Sequence, residues 1–258
     1  MSSPDPPDLF HAPPSYYSQI ARLALHEGNV AYTSHPIDIH RRRQNMEPDY
    51  VRLNPNMTVP TLVLPGRTLI ESRDIVELSL GVAEGEAKTW VERHYSFLID
   101  ELTFGRLVSW NPVARSMIPR TLGKNEARFR ALAAEHPDLA EPYARRAEVF
   151  AERVRVFDPG KVAALWTERL GQARDHLDAL ERALSDGRET LVPSGYGPAD
   201  VVWTVFLARL RMIRLGDELA RRPAVLRYAE AMFARPSFEA ADVWKGVKLT
   251  KLLHLWFD

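Results

Sequence analysis

The chain has 258 residues, with 34 basic and 34 acidic side chains, 45% apolar residues and no cysteine. Balanced charge gives no broad field for nucleic acid or an anionic membrane, and the apolar content is that of an ordinary globular protein. Without cysteine there are no disulfides, no thiolate metal sites and no protein thiol to act as nucleophile.

Residues 1–7, rich in Pro, Asp and Ser, lack the basic-then-apolar pattern of a secretory signal and read as a short disordered leader. No apolar run approaches the roughly 20 residues that span a bilayer. Cytoplasmic location is the resulting expectation. From residue 8 the chain alternates short apolar runs with helical patterns. Leu9-Phe10-His11 is a strand, Pro13-Pro14 ends it, and residues 15–27 form a helix stopped by Gly28. Residues 31–37 have strand character and 41–50 suggest a short irregular helix. Two strands then flank Pro65-Gly66 as a hairpin, and residues 72–80 close the unit as a helix.

This order describes an α/β unit over residues 8–80. Residues 81–88, rich in Gly, Ala and Glu, read as a linker. The remainder, residues 89–258, is helical throughout, with a charged, proline-punctuated insertion at about 111–159. Pro198 suits the first position of a helix capped by Gly197, with Asp200 reaching back as in a capping box.

Two short runs carry chemistry. A proline at the mouth of a strand belongs at an edge or a bend, and Val59-Pro60 precedes the strand at residues 61–64. With a cis bond there, the Val59 backbone N–H and C=O face outward, free to pair with a peptide. Glu71 and Ser72 open a helix, where backbone N–H groups and the dipole favour a carboxylate. Together they suit a small peptide with a free amine and a free carboxylate. The eight histidines show no metal-ligand spacing, and there is neither a Gly-rich phosphate loop nor a Gly-x-Ser-x-Gly elbow. No metal is expected.

An α/β unit with a Val-Pro bend and a Glu-Ser helix start, followed by a helical half with a Pro-Ala-Asp cap, resembles the cytosolic glutathione transferase family. Residues 47–54, 199–209 and Ala234-Arg235-Pro236-Ser237-Phe238 are similar to the branch of zeta-class transferases and tetrachlorohydroquinone dehalogenase. The resemblance implies a thioredoxin-like N-terminal domain, an all-α C-terminal domain, glutathione as co-substrate and a homodimer. It also exposes a departure. The cysteine that carries reductive chemistry in the dehalogenase falls on Tyr17, so that thiol-disulfide step is closed to this chain. The first serine of the zeta-type Ser-Ser-Cys run falls on Ser15, within Ser15-Tyr16-Tyr17-Ser18.

The implied activity is conjugation of glutathione to an apolar, aromatic electrophile, or a glutathione-dependent isomerisation or thioether cleavage. A thiol with a pKa near 8.5 is only a few per cent thiolate at neutral pH, so a hydroxyl donor must favour the anion. Ser15 is the natural donor, although an N-cap role competes for its oxygen; Ser18 and Tyr17 are the alternatives. On the family pattern Glu71 and Ser72 hold the γ-glutamyl amine and carboxylate, and Val59 with Pro60 the cysteinyl unit. Arg43 and Gln44 are candidates for the glycyl carboxylate. Tyr16, Tyr17, Trp110 and Trp244 are taken to wall the electrophile pocket. The apolar tail over residues 244–257 is either a lid on the cleft or packed against the helical half or a partner subunit. The alternative from another class is a non-catalytic glutathione-binding or protein-interaction module on the same fold.

Overall fold

The computed structural model of the protein describes residues 6–247. The leader expected at 1–7 is therefore seen only at residues 6 and 7, and the tail beyond residue 247 lies outside the described residues. In chain order the elements are β1 (Asp8–His11), α1 (Tyr16–Glu27), β2 (Thr33–Pro36), α2 (Pro48–Leu53), β3 (Thr61–Leu64), β4 (Arg67–Leu69) and α3 (Ser72–Leu80). Then follow α4 (Gly85–Tyr95), α5 (Ile99–Trp110), α6 (Pro112–Glu135), α7 (Ala140–Val156) and α8 (Val162–Ala183). The last four are α9 (Pro198–Met212), α10 (Gly216–Ala220), α11 (Pro223–Phe233) and α12 (Pro236–Ala240). Among the described residues no helix is long and apolar enough to cross a membrane.

One compact unit gathers residues up to 45, 58–96 and from 176 onward. Its four-stranded sheet has the order β2-β1-β3-β4. β1 runs parallel to β2, with Leu9 opposite Ser34, and antiparallel to β3, with Leu9 opposite Leu62. Leu62 faces Leu69 across the hairpin, whose turn at Gly66 has a φ of 79°. Leu9, Ala21, Leu25, Leu62 and Ile75 bury their side chains together between the sheet and the helices α1 and α3. Gly28 ends α1 with an ordinary φ of −80°. Close approach explains that glycine: a β-carbon there would sit 2.3 Å from the Ser79 carbonyl oxygen of α3.

In the same unit α9 is buried on nearly every side from Pro198 to Leu210. Asp200, 0% exposed, accepts from Leu191 N–H (2.8 Å), Gly197 N–H (3.0 Å) and Tyr228 O–H (2.8 Å). The reach-back of Asp200 to the Gly197 N–H read from the sequence is present, and the carboxylate takes two further donors.

The second compact unit comprises residues 46–57 and 97–175. Helices α6 and α7 pack against each other, with the rings of Phe129 and Phe150 5.1 Å apart. Met46, Val51, Met57 and Tyr143 join that core, and the Tyr143 hydroxyl donates to the Met46 carbonyl (2.8 Å). Pro119 lies inside α6 without ending it.

Candidate functional site

The run Ser15–Ser18 opens α1, and the helical turn divides its four hydroxyls. Ser15 is the N-cap: its Oγ accepts from the Ser18 N–H at 3.4 Å, and the residue stays half-buried. A cap uses an oxygen lone pair, so the hydroxyl hydrogen of Ser15 is left over. Ser18 is 0% exposed, with its Oγ accepting from the Ala12 N–H (3.3 Å). Tyr16 is also buried, its hydroxyl 2.6 Å from His94 Nε2. Tyr17 is half-buried and stacks on Tyr95, with centroids 6.4 Å apart and planes at 9°. Of the candidates for thiol activation, then, Ser15 and Tyr17 remain reachable and Ser18 faces the interior. Tyr16, placed by the sequence in the pocket wall, points into the core instead.

Side chains from α1 and α9 hold the loop before Ser15 from beneath. The Pro13 carbonyl accepts from Gln19 Nε2 and Arg22 Nη2, both at 3.2 Å, and the Pro14 carbonyl from Arg209 Nη2 at 2.9 Å. Arg22 also donates to the carbonyls of Ala241 (2.7 Å) and Asp242 (3.1 Å), and to His11 Nδ1 (3.0 Å). Burial lowers the Arg22 pKa to about 10, with nearby Asp242 opposing, so it remains a cation at neutral pH. A guanidinium only donates, so His11 Nδ1 is an acceptor and the ring is neutral, its Nε2–H free to donate to Ser34 Oγ at 2.8 Å. Burial first, and the Arg22 charge second, bring the His11 pKa down to about 3.

At the strand edge the Val59–Pro60 bond is cis. Among the described residues neither the N–H nor the C=O of Val59 takes a hydrogen-bond partner. Ser72 begins α3 at 3% exposure, and its Oγ lies 3.0 Å from the Tyr95 hydroxyl. Glu71 precedes it as an exposed N-cap whose side chain makes no cap bond. Partial burial of its carboxyl, then the neighbouring Asp74, raise its pKa above the ordinary carboxylate value. The Arg73 guanidinium lies over the Tyr95 ring, 4.8 Å from its centroid.

Arg43 and Gln44 belong to a tight loop organised by Asp38. The Asp38 carboxylate accepts from the N–H groups of His40, Arg41 and Arg42. Burial raises its pKa, but those bonds outweigh burial and hold it below the usual range. Gln44 Oε1 accepts from the Asp38 N–H (2.7 Å), and its amide NH2 has no partner among the described residues. Arg43 adopts a left-handed φ of 55°, with its Nε buried and without a partner among the described residues.

Trp244 is 1% exposed, its backbone N–H on Gln19 Oε1 (3.0 Å) and its indole on Asp242 (3.1 Å); it presents no open face to a ligand. Trp110, 57% exposed, ends α5 in the second compact unit. Arg73 and His94 carry no mark in the sequence. They lie more than 20 residues from Ser72 or Tyr16, or next to a residue already chosen for another reason, so no local pattern marks them.

The glutathione S-transferase N-terminal domain model matches residues 14–78. The tetrachloro-p-hydroquinone reductive dehalogenase of Sphingobium chlorophenolicum is 31% identical over 258 aligned positions, covering 92% of this chain and 97% of the relative. The chain belongs to the glutathione S-transferase family. A second relative in it, the glutathione S-transferase TCHQD of Arabidopsis thaliana, is 28% identical and covers 90% of this chain and 87% of the relative. Among solved structures, the beta-etherase LigF of Sphingobium sp. shares the fold with a TM-score of 0.64 at 16% identity, covering 91% of this chain and 98% of that one. The expected architecture, a thioredoxin-like sheet domain with a helical C-terminal region, is thus borne out.

Proposed function

We propose that this member of the family is a glutathione transferase of the serine type, in which the Ser15 hydroxyl stabilises the glutathione thiolate for attack on an apolar, aromatic electrophile. One observation carries the reading: Ser15 uses a lone pair to cap α1 and keeps its hydrogen, so capping and thiolate donation do not compete. The positive end of α1 adds to the same stabilisation. With no cysteine in the chain, a protein thiol cannot resolve a mixed disulfide, which favours conjugation over reductive dehalogenation. Isomerisation and thioether cleavage need the same thiolate and are included in the reading.

Glutathione would lie with its cysteinyl unit on the Val59 backbone, its γ-glutamyl end at Glu71 and Ser72, and its glycyl carboxylate toward Arg43 and the Gln44 amide. Tyr17, half-buried beside Ser15, would contribute to the electrophile pocket. A cytoplasmic homodimer completes the proposal. The burial of Tyr16 weakens the non-catalytic alternative, because that ring does not fill the site.

The test is Ser15→Ala with bound thiolate followed by its ultraviolet absorbance. The thiol pKa should rise by one to two units, with kcat/KM at pH 7 lower by about 10- to 100-fold and recovering as pH rises. Unchanged thiolate in the variant would remove Ser15 from the mechanism. Tight glutathione binding with no thiolate in the wild type would instead support the binding module.

A further inference from the structure

We infer that Tyr95 and Ser72 act as a single hydrogen-bond donor for the γ-glutamyl carboxylate of glutathione, which makes Tyr95, on α4, a recognition residue of the site. The inference rests on the proposed glutathione reading and deepens it. It starts from a count of hydrogens. Two hydroxyls carry two hydrogens, and the 3.0 Å bond between Ser72 Oγ and Tyr95 OH consumes one of them. Whichever oxygen donates, the other keeps a hydrogen, and neither has a further partner among the described residues. A buried or half-buried O–H without an acceptor calls for one.

The surroundings select an anion as that acceptor. The pair sits at the start of the nine-residue helix α3, whose first N–H groups have no intrahelical partners. Arg73 lies against the Tyr95 ring and, among the described residues, makes no ion pair. Burial raises the Tyr95 pKa well above the ordinary phenol value, with the Ser72 bond opposing, so Tyr95 stays an O–H donor across the working range. Hydroxyls linked in series polarise each other, so the outer hydrogen is a better donor than that of an isolated serine. Glu71, next in the chain, supplies the opposite charge for the adjacent amine. An α-amino acid end needs both, side by side.

The experiment titrates full-length wild type, Tyr95→Phe, Ser72→Ala and the double variant with glutathione by calorimetry. The same proteins are titrated with the analogue that carries 4-aminobutyryl in place of γ-glutamyl and so lacks only the carboxylate. Each single variant should weaken glutathione binding about 5- to 10-fold, and the double variant by clearly less than the product of the two losses. The analogue should bind wild type and Tyr95→Phe equally, a result that a merely structural role for Tyr95 would not produce. Losses that multiply, or a Tyr95→Phe affinity within twofold of wild type while Ser72→Ala is weakened, would overturn the inference alone. Wild type that binds no glutathione would overturn the proposed function with it.

Discussion

Asp200 shows how far a residue can be read before its surroundings are known. Its place three residues after Gly197 announces a cap, and a cap alone is worth about 1 kcal/mol. The carboxylate also receives the Tyr228 hydroxyl and the Leu191 N–H, from segments with no sequence mark of their own. Removing it strands three donors where water does not reach. Asp200→Ala should therefore destabilise by about 3–5 kcal/mol in chemical denaturation; a loss near 1 kcal/mol would mean that only the cap matters. Ser15 was likewise legible as a hydroxyl before a helix. The direction of its bond was not, and that direction separates capping from chemistry. Tyr16 was misread because adjacency in sequence says nothing about which side of the first helical turn a ring takes.

At the scale of elements, most strands and helices of the first 80 residues follow their local signals, since each alternation or cap is short-range; the helix expected at 41–50 instead starts at Pro48 and runs to Leu53. Two places show where local signals fall short. Residues 88–110 carry one helical pattern, yet the chain breaks between α4 and α5 at Ser96–Leu98, with no glycine or proline to announce it. Pro119, conversely, looks like a break and sits within α6. Gly28 stops α1 as its place in the sequence implies, but its reason is the α1–α3 approach. At an ordinary φ an alanine would normally stabilise by about 0.5 kcal/mol through the unfolded state. Contact with the Ser79 carbonyl should reverse the sign, so Gly28→Ala is expected to cost about 2 kcal/mol. A thermal melt at or above the wild-type midpoint would show that α3 yields instead.

For the molecule as a whole, two neutral buried histidines set an acid limit. His94 is packed among Tyr16, Tyr95 and Trp203, and burial, then His176 and Arg73, lower its pKa to about 3. His11 faces Arg22, Asp242 and His35 and is lowered to about 3 as well. Depressed values mean that the unfolded chain takes up these protons first. Their contribution is present above about pH 6.5 and is lost as pH falls toward 3. Each should cost about 2 kcal/mol at pH 5 relative to pH 7.5, roughly 4 kcal/mol together, read from denaturation at the two pH values. Stability unchanged between them would mean that both rings are charged in the folded protein. The ties from Gln19 and Arg22 to residues 241–244 bear on when, in the life of the chain, the site comes into being. The Pro13 carbonyl, in the loop ahead of Ser15, is fixed by side chains that are themselves held by backbone made more than 200 residues later. During synthesis the thioredoxin-like sheet can pair long before that, but the Pro13 loop is still missing its backing. A nascent chain stalled before residue 241 would present Gln19 and Arg22 without the backbone groups that hold them, so the loop ahead of Ser15 sets only after that late segment is made.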